Sequence, residues 1–462
     1  KINVNDLYKY PTIKYLSFFI LNKDVEKSSN TLKSEIEDLF RKNLGTTYVA
    51  NNMYETSYDQ LLNWKILTSG KYGKRLVVDK TRVMASLDRD IVIKTICIFF
   101  EKHQILNVSF KEIEGVLYQK YQDIPTVENH IHFVDKQDAD ASYINRKLSS
   151  LHFDLQKENP LINFFVINYD AYFELTLVSN HLLIDGWSSN ILKNDFSNIY
   201  ANVSKNVAYE HIVSNTSYLD YSIWKKKLLS TKKIKEAYAV IWNEYLKNLT
   251  SKSHVPFDAI TENKDYNSSY ETYISPELTK KIRSFSSQNT VSVFSIFLTS
   301  VFKLLHEVTR EQHISIGIAN PNRLFDELFD VVGEFANPSV IVQNVASSED
   351  PIAFSKKVNQ NLNTVLELPM LPLKELGLEH EVTDLFSVML NMISYEDVKD
   401  AHVTEPKHTP KVSIGRWDIG IYLYEYKKVY KLLIKYNPNL YFPNTIEDLI
   451  NSYINKMNTL VK

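Results

Sequence analysis

One cysteine among 462 residues, Cys97, excludes any internal disulfide and fits a reducing, cytoplasmic setting. It lies in the apolar stretch Ile91-Val-Ile-Lys-Thr-Ile-Cys97-Ile-Phe-Phe100 and reads as a structural thiol, not a nucleophile. Ten glycines leave no phosphate-cradling loop and no dinucleotide fingerprint. Charge of either sign is not in excess: Lys+Arg 53 stand against Asp+Glu 55, a net charge of −2, which gives no footprint for nucleic acid or an anionic membrane. Lysine runs such as Lys225-Lys226-Lys227 are short and read as solvated helix faces. Long hydrophobic runs are missing too. Tyr15-Leu-Ser-Phe-Phe-Ile-Leu21 falls well short of the roughly 20 residues of a spanning helix, so a soluble, monomeric protein is expected. His130-Ile-His132 has no third ligand nearby at metal spacing and reads as an edge strand with both rings on one face; no bound metal is expected.

What is present is an ordinary globular composition, 44% hydrophobic and 23% charged, in a chain long enough to bury two cores. The most informative stretch is Leu177-Val-Ser-Asn180-His181-Leu-Leu-Ile-Asp185-Gly186-Trp187-Ser188. Residues 171–179 alternate, with Phe173, Leu175 and Leu177 on one face, which predicts a strand. A turn through Asp185-Gly186 then leads into a helix capped by Ser188 or Ser189, with Ile191, Leu192, Phe196 and Ile199 at helical spacing. His181 is therefore expected in a loop off a strand end. A neutral imidazole there suits taking a proton from an attacking amine or alcohol, or holding that nucleophile in line with a carbonyl. Asp185 reads as a structural anion that shapes the loop, and Gly186 as a residue whose missing side chain lets backbone approach a substrate.

Several further segments fall in a consistent order. Asn180-His181-Leu-Leu-Ile-Asp185-Gly186-Trp187-Ser188 resembles the HHxxxDGxS of nonribosomal peptide synthetase condensation domains, keeping the second histidine and replacing the first by Asn180. Ser57, Gln60 and Trp64 match SxAQxRLW, the region Phe100 to Phe110 with His103 resembles RHExLRTxF, and Phe153-Asp154-Leu155 with Pro160-Leu161 resembles FDL...PL. Tyr218, Asp220, Tyr221 and Trp224 fit YxDYAxW. Gly333-Glu-Phe335-Ala-Asn337-Pro338 is similar to GxFVNT, Phe386-Ser-Val-Met-Leu-Asn391 to the FQVMF region, and Arg416-Trp417-Asp418-Ile419 to KFDL.

The resemblance implies an α/β fold: two chloramphenicol acetyltransferase-like lobes in a V-shaped pseudo-dimer with a substrate tunnel between them. It implies an acyltransferase that forms an amide between an acyl or peptidyl thioester on a donor carrier protein and the amine of an aminoacyl thioester on an acceptor carrier. Both substrates would ride on 4'-phosphopantetheine arms, with no cofactor bound by the chain itself, and neighbouring synthetase domains would be partners. His181 and Gly186 take the catalytic roles, Gly186 through its amide. Asp185, Arg323, Asn180, Trp187 and Ser188 would shape the site, with Arg323, six residues after Gly317, pairing with Asp185 across the lobe junction. Gly333, Phe335, Asn337 and Trp417 are expected on the channel wall. Pro338 departs from the threonine of GxFVNT, and Leu368-Pro-Met-Leu-Pro372-Leu keeps little of HQDYPF beyond proline.

Residues 4–20 are similar to the last helix of a carrier protein, so residues 1–22 read as a carrier tail from a larger assembly-line enzyme or as a docking element. Residues 23–53 read as linker, 54–239 as the first lobe and 240–462 as the second. Other chemistries share parts of this pattern. A cyclisation domain would carry DxxxxD in place of the histidine, an epimerisation domain an EGHGR-like segment not found here, and a coenzyme A-dependent enzyme no carrier-like tail. An ester-forming, chain-releasing or partner-recruiting domain stays open as the alternative.

Overall fold

The computed structural model describes residues 23–45, 52–69, 75–139, 142–155, 157, 160–207, 216–249, 251–258, 260, 268–346, 349–367, 369–394, 417–426 and 429–462. The carrier-like segment 1–22 and Arg416 lie outside the described residues. In chain order the first half contains helix α1 (Lys23–Arg41), strand β1 (Met53–Glu55), α2 (Tyr58–Thr68), β2 (Leu76–Val83), α3 (Arg89–Lys102), β3 (Val108–Ile113), β4 (Val116–Tyr121), β5 (Ile131–Asp135), α4 (Tyr143–Ser150), β6 (Ile162–Asn168), β7 (Phe173–Asn180), α5 (Gly186–Ser204), α6 (Tyr218–Ser230) and α7 (Lys232–Leu246). The second half contains β8 (Ser268–Tyr273), α8 (Pro276–Asn289), α9 (Val293–Thr309), β9 (His313–Asn320), β10 (Asn337–Asn344), α10 (Pro351–Leu366), β11 (Val388–Ser394), β12 (Ile419–Tyr426), β13 (Val429–Tyr436) and α11 (Pro443–Leu460).

The helices start where short polar side chains can satisfy the free N–H groups of a first turn. Ser57 and Gln60 cap α2 reciprocally, Asp88 caps α3, and Ser275, Ser292 and Asp350 cap α8, α9 and α10. Proline occupies the first turn of α8, α10 and α11, where its missing N–H costs no hydrogen bond.

Two mixed α/β lobes result. In the first, β2-β7-β6-β5 form a four-stranded sheet and β1-β4-β3 a smaller one. Strand β7 is buried along its whole length, with β2 and β6 antiparallel on either side. In the second, six strands run in the order β10-β9-β11-β12-β13-β8, and β11 is parallel to both β9 and β12. Gly317 in β9 is a required glycine, because a Cβ there would come within 2.2 Å of the Phe386 ring. Helix α9 is apolar on nearly every side and buried. No single described helix is long and apolar enough to cross a membrane.

Three expectations change. The segment 23–53, read as linker, contains α1, whose Leu32, Ile36 and Phe40 recur every four residues and are buried in the first core. Phe40 stacks on Phe325 at 4.3 Å, and the Trp224 indole N–H donates to the Ile36 carbonyl at 3.2 Å. Burying each such side chain contributes about 1.5–3 kcal/mol, enough to hold a polar helix in place. The boundary at 240 falls inside α7, whose Ile234, Tyr238 and Trp242 form one buried stripe on the first core, while the second core starts at Val255. Residues in the range 328–389 also pack into the first core, so the junction is shared by both halves of the chain. Finally, His130 ends a short 3-10 turn and only His132 lies on β5, so the two rings do not share a strand face. No group of three or more His, Cys, Asp or Glu suited to a metal occurs among the described residues. Cys97 is half-buried, and burial pushes its thiol up, away from reactivity.

Candidate active site

The central strand β7 delivers His181 one residue beyond its last paired position, Asn180 opposite Leu76. The His181 backbone N–H donates to the Arg75 carbonyl at 2.9 Å, extending the ladder by a step. The chain then turns sharply. Asn180 is buried and its side-chain oxygen accepts from the Leu182 N–H at 2.9 Å, an Asx turn that satisfies a donor no strand partner reaches. Leu182, Leu183 and Ile184 are buried in the first core, and the Gln60 amide donates to the Leu182 carbonyl at 3.3 Å. The loop carrying His181 is therefore fixed from below by apolar packing and from the side by α2.

The N-cap of α5 is Asp185, not Ser188 or Ser189 as its sequence predicts. Asp185 Oδ1 accepts from the Ser188 N–H at 2.7 Å, and Asp185 has extended backbone angles. The earlier aspartate wins because a carboxylate opposite the helix N-terminus gains from both hydrogen bonding and the helix dipole. Gly186, the first helical residue, is exposed, and a Cβ there would meet nothing within 4 Å.

The start of α5 is bound tightly to the segment 323–335. The Asp185 N–H donates to the Gly333 carbonyl at 3.1 Å, and the Phe335 N–H donates to Asp185 Oδ2 at 3.3 Å. Ser188 Oγ donates to the Gly333 carbonyl at 2.8 Å and accepts from the Gly333 N–H at 3.0 Å. Arg323 Nη2 lies 3.5 Å from Asp185 Oδ1 and donates at 2.9 Å to Ser188 Oγ. Its other Nη donates to the carbonyls of Leu328 and Val331, and its guanidinium sits 3.9 Å from the Phe335 ring centroid. Arg323 is thus a buried organiser of several carbonyls more than a one-to-one partner of Asp185. The Trp187 indole N–H donates to the Phe329 carbonyl at 3.0 Å.

This clamp brings a residue to His181 that the motifs do not single out. Glu334 Oε2 lies 2.7 Å from His181 Nδ1; the His181 side chain is 24% exposed, that of Glu334 1%. Burial pushes His181 down to about 3, with the nearby Arg75 adding to the effect. Burial pushes Glu334 well above the usual carboxylate range, reinforced by Asp185. Both shifts favour neutral groups.

A pH effect follows. Glu334 is protonated in the fold over a range in which the unfolded chain, with an ordinary carboxylate, releases its proton. Its contribution to stability is present below about pH 4.5 and is lost as pH rises through the raised folded value. Glu334→Gln cannot ionise in either state, so its stability relative to wild type is expected to grow between pH 5 and 8. Urea midpoints measured at both pH values check this, and a constant or shrinking difference would count against a neutral Glu334.

Of the residues expected on the channel wall, three are interior. A Cβ on Gly333 would come within 1.9 Å of the Tyr218 ring, so the position admits only glycine. Phe335 is buried between Tyr218 and Tyr221, at 5.0 and 4.4 Å. Asn337 donates to Asp59 Oδ1 in a buried network in which Lys225 Nζ lies 2.7 Å from the same oxygen. Lys225 is correspondingly no solvated lysine: its side chain is 1% exposed, against 53% for Lys226 beside it. Trp417 is half-buried against Phe386. Glu334 had one sequence signal, a charge within the apolar run Val331-Val-Gly-Glu-Phe-Ala, but the run does not say what the charge faces.

With this geometry in hand, likeness to known proteins is informative. The chain is 27% identical over 277 residues to the dimodular nonribosomal peptide synthase of Bacillus subtilis (strain 168), covering 58% of this chain and 12% of that protein. It is 22% identical over 473 residues to bacitracin synthase 1 of Bacillus licheniformis, covering 97% of this chain and 8% of that one. The fold matches the epimerization domain from the third module of tyrocidine synthetase B with a TM-score of 0.74 at 16% identity, covering 90% and 98% of the two chains. It matches the X-domain from teicoplanin biosynthesis with a TM-score of 0.74 at 15% identity, covering 90% and 96%. The Condensation domain family model matches residues 80–462, and the chain, with His181 presented at the end of its central strand, belongs to the condensation-domain family.

Proposed function

We propose that this chain joins an acyl or peptidyl thioester on a donor carrier protein to the amine of an aminoacyl thioester on an acceptor carrier, forming an amide. The observation that carries this reading is the presentation of His181. Its Nδ1 is taken by Glu334, which leaves Nε2 as the nitrogen free to meet a substrate, in the same turn as the exposed Gly186 at the start of α5. The amide of Gly186 is assigned to the oxyanion of the tetrahedral intermediate, and Asp185, Arg323, Ser188, Trp187 and Asn180 to holding the loop in register. Two substrates tethered on phosphopantetheine arms and brought end to end at His181 react as a local pair, which supplies much of the acceleration. The wider assembly, with neighbouring synthetase domains, belongs to the same proposal, since the chain spans only 12% and 8% of the two synthetases compared above.

The test is intact-mass analysis of an acyl-loaded donor carrier and an aminoacyl-loaded acceptor carrier incubated with the protein. The expected result is an acceptor carrier heavier by the acyl group, with the donor discharged. Carriers that bind without any transfer would overturn amide formation and favour an ester-forming, chain-releasing or partner-recruiting domain, for which hydroxyl acceptors, water and partner enzymes are the next substrates to try.

A further inference from the structure

We infer that Glu334 is the positioning partner of His181: it donates a hydrogen bond to Nδ1 and so holds the imidazole as the tautomer whose proton sits on Nε2, facing the substrate. The inference deepens the function proposed above and rests on it for the identity of the reacting groups. The geometry carries it. The two side chains meet at 2.7 Å, Glu334 is enclosed, and no hydrogen bond to Glu334 Oε1 is found among the described residues. The backbone on either side is fixed, the Glu334 carbonyl by the Tyr218 hydroxyl and the Phe335 N–H by Asp185. The titratable groups around the carboxyl are Asp185, Asp59, Arg75, Lys225 and Tyr218, with the Asn63 amide also in reach. Two of these are carboxylates, and Arg75 acts against a positive charge on His181. Burial favours the neutral form of both groups, reinforced by Asp185 and Asp59 for Glu334 and by Arg75 for His181. The acid proton is assigned to Oε2, facing Nδ1 as acceptor, because on Oε1 it would be a buried donor with no partner among the described residues.

The consequence is chemical. An Nε2–H group is a donor, so His181 lends its hydrogen bond to the thioester carbonyl oxygen as negative charge develops, and the amine is not deprotonated by it. In the balanced step the nitrogen lone pair forms the C–N bond, the C–S electron pair leaves with sulfur, and the proton shed by nitrogen ends on sulfur through solvent. His181 starts and finishes in one protonation state.

The test pairs spectroscopy with kinetics on Glu334→Leu, which removes the partner, and Glu334→Gln, whose amide can still donate to Nδ1. Nitrogen-15 shifts of the His181 imidazole, assigned against His181→Ala, are expected to show the Nε2–H tautomer from pH 5 to 8 in wild type and Glu334→Gln. In Glu334→Leu the ring is expected to lose the fixed tautomer. In the carrier assay Glu334→Leu is expected to lose about 10–100-fold in kcat with KM for both carriers unchanged, and Glu334→Gln to stay within about threefold of wild type. A wild-type ring protonated on Nδ1 alone, or a folded Glu334→Leu with wild-type kcat, would overturn the inference. Absence of product in wild type would sink the proposed function, while the spectra would still decide the role of Glu334.

Discussion

Lys225→Met is expected to lower the unfolding free energy by about 3–5 kcal/mol, because it strands a buried carboxylate without its cation. Asp59 and Lys225 are both closed to solvent, with Nζ at 2.7 and 3.0 Å from the two carboxylate oxygens and 2.9 Å from the Tyr221 hydroxyl, which itself donates to Asp59 at 2.6 Å. Burial alone pushes Asp59 up, and the ammonium is the largest influence drawing it back. Methionine keeps the apolar stem of lysine, so the loss reads the missing charge more than a cavity. The double variant Asp59→Asn/Lys225→Met is expected to recover part of the loss, since an amide needs no counter-charge. Urea denaturation of wild type and the two variants checks this, and a single variant within about 0.5 kcal/mol of wild type would show that the pair adds little. The network also holds Asn337, and through Tyr218 and Phe335 it supports the segment that places Glu334. Lys225→Met is therefore expected to weaken the site as well as the fold.

His181→Ala is expected to reduce kcat for carrier-to-carrier transfer by about 10²–10³, the usual cost of removing one donor aimed at a developing oxyanion. The fold should tolerate the change, because the loop is held by Asn180, Leu182, Leu183, Ile184 and Asp185 and the imidazole is partly exposed. Carrier affinity is expected to be unchanged. The measurement is single-turnover acyl transfer followed by mass, beside a thermal melt of the same preparation. Equal rates for variant and wild type would remove His181 from the chemistry and leave the chain as a recruiting module that keeps its histidine for packing. The rate of the wild type is also expected to show no inflection near pH 6.5, since His181 is held to about 3 by burial.

The site was only partly legible in the chain. Alternation over 171–179 predicts β7, and the polar turn after it predicts the loop that carries His181; both come from local patterns of side chains against solvent and core. The cap of α5 falls three or four residues before the serines that local spacing predicts, because Asp185, Ser188 and Ser189 all have capping chemistry and the choice among them depends on Gly333, Phe335 and Arg323 arriving from the other half of the chain. Helix α1 reads as linker for a related reason: its polar composition hides a narrow stripe whose value is set by Phe325 and Trp224, distant in sequence.

Local patterns carry the α/β character of the chain, the strand and turn that present His181, and the order of motifs that resembles condensation domains, since each is written in residues a few positions apart. Long-range packing alone makes Lys225 an interior cation, buries Gly333, Phe335 and Asn337, and turns Glu334 toward His181. Each of these depends on contacts between residues more than 100 positions apart, and a local pattern of polarity carries no record of which buried charge another will meet.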